Sequence, residues 1–314
     1  MTRLALIFLA IAWLGATHPA QAGEIAAVVS QQAGMVTLID VDGGEVLGEI
    51  KVAKTPASIA ATADGRMLFV THPDLGLVSK IDVDTRKVTA TFKTGKEPFG
   101  IALVDEDRTL LITDWSADTL IRLDASAGTE TARAQTGKSP AGVAIDAAQS
   151  LAYVADRESD QISIIDVGTM QRVATIAVGH APFALALSPD GSRLYVGNVR
   201  SNDLSVIDTG TRKELSRPKI GLMPYGIAVA PDGLRVILSN QQSGTLTVLD
   251  AESGKVVGRV RGGTFPEAVA IVSGKRALMV DWAADEVAVI DLAGMAVTAR
   301  IRVGAGPRSV VVLK

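Results

Sequence analysis

Two short stretches of the chain place a carboxylate beside an indole: Asp114-Trp115 in "DWSADTLIRLD" and Asp281-Trp282 in "DWAADEVAVID", 167 residues later. Residues of these types could serve three chemistries. Acids at working distance could move protons, a cluster of oxygens could hold a hard cation such as calcium, and aromatic rings could stack on a ligand. Nucleophilic chemistry is poorly served, because no Gly-x-Ser-x-Gly turn or histidine-centred triad is legible. The chain has no cysteine, which excludes disulfides, thiolate nucleophiles, thiolate metal sites and covalent c-type haem. His72 and His180 lack the His-x-His or His-x₃-His spacing of a metal site, and no compact Asp-x-Asp-x-Asp-Gly loop is present. The sequence therefore predicts no metal, no cofactor and no catalytic residue.

The elements that position such residues begin after an export signal. Arg3 is followed by the apolar run Leu4 to Leu14 and by Ala20-Gln21-Ala22, which reads as a secretory signal peptide over residues 1–22 with cleavage before Gly23. A periplasmic or secreted protein is expected, with no membrane span after cleavage. The formal net charge of −3 becomes −4 once Arg3 is removed. Acidic and basic residues are mixed, so no nucleic-acid footprint is expected, and a monomer is.

A repeat decides the architecture. Prolines stand at 56, 98, 140, 182, 224, 266 and 307, and aspartates close a strand-like run at 40, 82, 124, 166, 208, 250 and 291. The period is 42 residues, shortened by one near Ser273-Gly274, with repeat starts near 53, 95, 137, 179, 221, 263 and 304. In the unit from Gly179 to Ile220, strands are predicted at Ala184–Leu187, Arg193–Gly197, Leu204–Ile207 and after Thr211, separated by turns such as Pro189-Asp190-Gly191. Four strands per unit and seven units predict an all-β, seven-bladed β-propeller of four-stranded blades as one domain over residues 23–314. The chain begins in mid-unit with "AAVVS", "MVTLID" and "EVLGEIKV" and ends on "GPRSVVVLK". One blade should therefore combine both termini and leave no open edge.

The "LYVGN" of Leu194–Asn198, followed by "LSVID" and the Pro-Asp-Gly turn, resembles the YVTN-type β-propeller repeat, and the resemblance covers essentially the whole mature chain. Proteins similar to it include binding and scaffold propellers, surface-layer modules, amine-dehydrogenase subunits and d-type haem domains, so the resemblance implies a fold rather than a function.

Reading one position across the blades maps the loop face where a propeller binds. The second strand of each unit ends on Ser30, His72, Asp114, Asp156, Asn198, Asn240 and Asp281, a polar ring that satisfies loop backbone donors or lines a ligand site. After the first glycine of Gly-x-x-Pro, or its equivalent, stand Lys54, Lys96, Lys138 and His180, which are either solvated or attract an anion. After each proline come Ala57, Phe99, Ala141, Phe183, Tyr225, Glu267 and Arg308, and Phe265 precedes its proline. Six aromatics thus fall on one face, where they plug the channel or form a binding surface. The predicted ligand-binding residues are Lys96, Phe99, Asp114, Trp115, Phe183, Tyr225, Phe265, Asp281 and Trp282. The leading expectation is a non-catalytic periplasmic protein that binds a small molecule or a periplasmic protein partner at this face. The alternatives are a lactonase- or lyase-like enzyme using the same channel mouth, and a propeller subunit of a periplasmic quinoprotein or haem redox system.

Overall fold

Short runs of branched and aromatic residues broken by Asp, Gly and Pro turns give strands and turns throughout the described part of the chain. The computed structural model describes residues 23–273 and 275–313, so the predicted signal peptide and Gly274 of the shortened turn lie outside the described residues. Among these residues, seven four-stranded antiparallel sheets form a ring. In the unit used above, the strands are Pro182–Leu187, Arg193–Asn198, Asp203–Asp208 and Lys213–Ser216, in that spatial order. We number the blades one to seven from the sheet whose inner strand is Ile59–Ala61.

Closure follows the prediction. In blade seven the C-terminal strand Pro307–Leu313 is innermost and pairs with Ile25–Ser30, which pairs with Met35–Asp40 and then Glu45–Lys51. The inner strand of each blade touches those of its two neighbours, and Pro307–Leu313 meets Ile59–Ala61 to complete the circle.

The core lies between blades. Second and third strands are almost wholly buried, as in Leu151–Asp156 and Gln161–Asp166, whereas outer strands such as Lys87–Lys93 alternate with exposed positions. Side chains of adjacent sheets interdigitate: Tyr153, Ile162 and Ile164 of blade three pack with Leu194, Val196 and Ile207 of blade four.

Two devices built on Asp or Asn side-chain oxygens recur. The seven aspartates that close the third strands fold back on the next turn; Asp166 Oδ1 accepts from Thr169 N at 2.7 Å, and Asp250 Oδ1 accepts from Ser253 N at 2.8 Å. Their bonds to N–H and hydroxyl donors hold the Asp166 and Asp250 carboxyls below the usual range. On the other face, Asp118, Asp160, Asn202 and Asp285 adopt left-handed backbone with φ of 57°, 51°, 59° and 56°. Each accepts, at 2.8 Å, the N–H of the residue before the blade proline: Ser139, Ala181, Met223 and Gly306. These bonds fix the loops that carry the channel-mouth residues.

Candidate active site at the channel mouth

Six of the seven inner strands begin at the blade proline, the exception being Ile59–Ala61 after Pro56, and every residue that follows a proline except Ala141 lines the channel. Three layers line a cavity of about 310 Å³ on the axis. The mouth layer includes Ala57, Phe99, Phe183, Tyr225, Glu267 and Arg308. Below it lie Ser58, Gly100, Gly142, Ala184, Gly226, Ala268 and Ser309, and then Ile59, Ile101, Val143, Leu185, Ile227, Val269 and Val310. Small side chains in the middle layer leave the room, and branched aliphatics make the deeper layer apolar.

Hydroxyls of neighbouring blades hold the mouth layer. At the penultimate residue of the second strand, Thr71 Oγ1 donates to Phe99 O at 2.8 Å and Thr113 Oγ1 donates to Ala141 O at 2.7 Å. Ser239 plays the same part: its hydroxyl accepts from Gly226 N at 2.9 Å and donates to the carbonyl of Glu267. A side chain on Gly226 would not fit, since its Cβ would come within 2.5 Å of that carbonyl.

Arg308 extends across the mouth. Its Nη1 donates to Gln31 Oε1 at 3.1 Å and its Nη2 to the Tyr225 hydroxyl at 3.3 Å, and its guanidinium lies 5.4 Å from the centre of the Phe99 ring. Its Nε stands 3.5 Å from Glu267 Oε2, an ion-pair contact too long for a good hydrogen bond. Glu267 is 5% exposed. Oε1 accepts from Gln241 Nε2 at 3.2 Å, but Oε2 is buried with no hydrogen bond. Burial pushes the Glu267 carboxyl up to about 7, against the opposing pull of Arg308 and the Gln241 amide. Burial also raises the Tyr225 hydroxyl above its ordinary value; the Glu267 charge adds to the rise, and Arg308 opposes it. The arrangement is a buried carboxyl beside a guanidinium and a phenol, at the lip of the axial cavity. Such groups exchange protons and stabilise developing negative charge.

The predicted residues divide. Phe99, Trp115, Phe183 and Tyr225 form one aromatic wall, with ring centres 5.3 Å apart for Phe99–Trp115, 5.6 Å for Phe99–Phe183 and 4.2 Å for Phe183–Tyr225. Phe265 and Trp282 pair with each other at 6.0 Å, and Trp282 lines a second cavity with Gln31, Gln32, Lys54 and Thr55. The six aromatics thus make two groups instead of one continuous rim. The wall is also part plug, since it packs on buried Ala141, Ala181 and Val199.

Asp114 and Asp281 do not face the ligand space. Both are 0% exposed; Asp114 accepts from Lys96 N at 2.7 Å and Glu97 N at 2.9 Å, and Asp281 accepts from Thr264 N and, at 2.9 Å, from Phe265 N. Both act as loop clamps, with each carboxylate bonded to backbone donors and outside the lining of the axial cavity. Lys96 is exposed outside the cavity lining. The cations that meet the aromatic wall are instead Arg308 and Arg157, the latter 5.6 Å from the Trp115 ring centre.

His72 is buried, with Nδ1 on Lys54 O and Nε2 on Ser79 Oγ, and His180 pairs with Asp160 in an exposed position. Among the described residues no cluster of three or more His, Cys, Asp or Glu could hold a metal. No helix there is long and apolar enough to cross a membrane.

Glu267 and Arg308 are the residues that sequence reading passed over. Their signal was present, as two charged side chains in adjacent blades in a column otherwise made of alanine and aromatics.

Residues 32–259 match the sequence profile of a family described as outer membrane protein assembly factor BamB. No curated protein sequence matches the chain. Solved structures similar to it include a candidate 6-phosphogluconolactonase from Bacteroides fragilis, at 16% identity and a TM-score of 0.78 over 95% of this chain and 100% of that one. Hydrazine synthase from Kuenenia stuttgartiensis matches at 20% identity and 0.75, over 90% and 99%. The dihydro-haem d1 dehydrogenase NirN matches at 19% and 0.68, over 91% of this chain and 65% of its own. At such identities the likeness establishes the fold. Enzymes recur among these similar propellers, and this overturns the expectation that the chain is not an enzyme. That expectation rested on absent nucleophile motifs, which say nothing about a buried carboxyl assembled from two blades.

Proposed function

The chain belongs to the family described as outer membrane protein assembly factor BamB, and from that premise we propose that its channel mouth is a ligand site where Glu267 exchanges a proton with a small organic substrate. The observation that carries this reading is the buried Glu267 carboxyl, one oxygen unbonded, beside Arg308 and Tyr225 at the lip of the axial cavity. A lactonase-like reaction would use the carboxylate to take a proton from attacking water. Arg308 and the Tyr225 hydroxyl would then stabilise the oxygen that gains negative charge. A lyase-like reaction would use the same carboxylate to remove a proton beside an acid group held by Arg308. An apparent ionisation near 7 leaves both protonation states available at neutral pH, as a group that must take and return a proton requires.

A panel of lactones, their open hydroxy acids and β-hydroxy acids tests the reading. The expected result is turnover with an inflection in kcat/KM near pH 7, and a drop of about 10² to 10⁴ in kcat in Glu267→Gln. Turnover indifferent to Glu267→Gln would remove the residue from the chemistry. Family membership favours a second reading, in which the same face, with Lys96, Phe265 and Trp282 as outlying contacts, docks a protein partner. The signal-like N terminus supports either activity taking place outside the cytoplasm, in the periplasm or beyond.

A further inference from the structure

Arg308 is poorly matched to what surrounds it. A guanidinium makes its strongest bonds to a carboxylate held bidentately at about 2.7–2.9 Å. Here Nη1 and Nη2 meet neutral oxygens at 3.1 and 3.3 Å, and the one carboxylate in reach stands 3.5 Å away on the single Nε. That carboxylate is itself short of a partner, with Oε2 of Glu267 buried and unbonded. Both groups thus have capacity left at the entrance to a cavity of about 310 Å³, on the order of ten water volumes.

The walls restrict what can enter. Phe99, Phe183 and Tyr225 present aromatic surface on one side. The middle layer is small, with the Ser58 and Ser309 hydroxyls as its polar side chains, and a Cβ on Gly142 would come 2.7 Å from Phe183 O and 2.8 Å from Leu185 Cδ2. The deepest layer is branched aliphatic. A sugar or polyol would meet aromatic rings on one side of the mouth and, in the deepest layer, no side-chain donor or acceptor for its hydroxyls. An inorganic phosphate would find Arg308 and the Tyr225 hydroxyl but no second cation in the cavity lining. A flat acid matches the single cation and the aromatic side together.

We propose that the ligand of the channel mouth is a small planar carboxylate, an aromatic or conjugated acid, whose carboxylate takes Arg308 from Glu267 while its ring lies against Phe99, Phe183 and Tyr225. Such binding does not rest on the proposed turnover: an acid that draws Arg308 away and leaves Glu267 protonated is a competing ligand of the mouth, not the substrate that Glu267 deprotonates. Loss of its cation favours the neutral Glu267 carboxyl, so binding at neutral pH takes up a proton. The charged and titratable groups set against Glu267 are Arg308 and Tyr225, and Gln241 supplies a neutral amide; Arg157 acts on Tyr225 and lies over Trp115. Glu158 belongs to the Arg157 and Arg200 pairs and leaves the argument unchanged.

Equilibrium binding to the mature protein tests the proposal, with benzoate as the probe and benzamide, cyclohexanecarboxylate and inorganic phosphate as comparisons. Calorimetry in two buffers of different ionisation heat should show benzoate binding with net proton uptake at pH 7.5, and Trp115 fluorescence should change. Benzamide, which has the ring without the charge, should bind about tenfold or more weakly, as should cyclohexanecarboxylate and phosphate. Arg308→Gln should cost benzoate a similar factor and leave benzamide unchanged. If that variant does not fold, Arg308→Lys should give a smaller loss in the same direction. No benzoate binding, equal binding of benzamide or phosphate, or a variant with undiminished affinity would overturn the proposal. None of these readings involves turnover, so an inert Glu267→Gln assay and a failed benzoate titration remain separate results.

Discussion

Glu267 is a carboxylate placed where its charge is disfavoured. Its ordinary value of 4.5 is pushed up to about 7, chiefly by burial. Between these values the folded protein binds a proton that the unfolded chain releases. The stability this group gives is therefore fully present below pH 4.5 and is lost as pH rises through about 7. The loss is on the order of 3 kcal/mol, a large part of the stability of an ordinary domain. Glu267→Gln keeps the shape and removes the charge. Its melting temperature should exceed that of the parent at pH 8.5 and converge with it toward pH 5, as measured by thermal denaturation across that range. A variant that is more stable and less active is the signature of a residue kept for chemistry. Equal melting curves at both pH values would show that burial does not perturb this carboxyl.

At the scale of the element, the mouth is built from hydroxyls that tie one blade to the next. Thr71, Thr113 and Ser239 share one position in their blades, and each bonds a carbonyl of the following inner strand. Ser239→Ala leaves the Gly226 N–H and the Glu267 carbonyl without this partner. A cost of about 1–3 kcal/mol is expected, with a matching fall in denaturant midpoint. Ser239→Thr installs the residue that blades one and two already use and should retain most of the stability. Full stability in the alanine variant would show that the tie is ornamental. The carboxylate clamps follow the same logic: Asp114 and Asp281 looked functional beside their tryptophans, yet their oxygens serve loop amides.

The whole molecule is a ring whose lock is its last strand. Pro307–Leu313 supplies the inner strand of blade seven, the neighbour of Ile59–Ala61 and, in Arg308, the charge that spans the mouth. Ending the chain before Gly304 would expose the edge of Ile25–Ser30 and open the ring. Circular dichroism and thermal melting should show either no folded protein or a large drop in melting temperature, because the core between blades six and seven loses one wall. A truncated chain melting with the intact protein would mean that closure contributes little. The ring also explains why a small-molecule site and a partner face are both open to the chain. The inner strands make a chamber on the axis, and the loops above it make a surface.

Periodicity made the fold legible. Seven prolines and seven aspartates at a fixed spacing specify seven units, and alternating apolar residues with turn chemistry specify four strands in each. Those are local properties, repeated, and local sequence determines them. The column after the prolines also showed that Phe99, Phe183, Tyr225, Glu267 and Arg308 share one face. Sequence left open which of them meet. Arg308 reaches Tyr225 and Phe99 across the channel, and Glu267 is deprived of solvent by residues from other blades. Trp115 joins their wall while Trp282 stands with Phe265. Closing the ring brings residues far apart in the chain to one axis and removes water from between them. Charge, burial and proton affinity at the mouth are set by that closure, so only the tertiary structure could decide them.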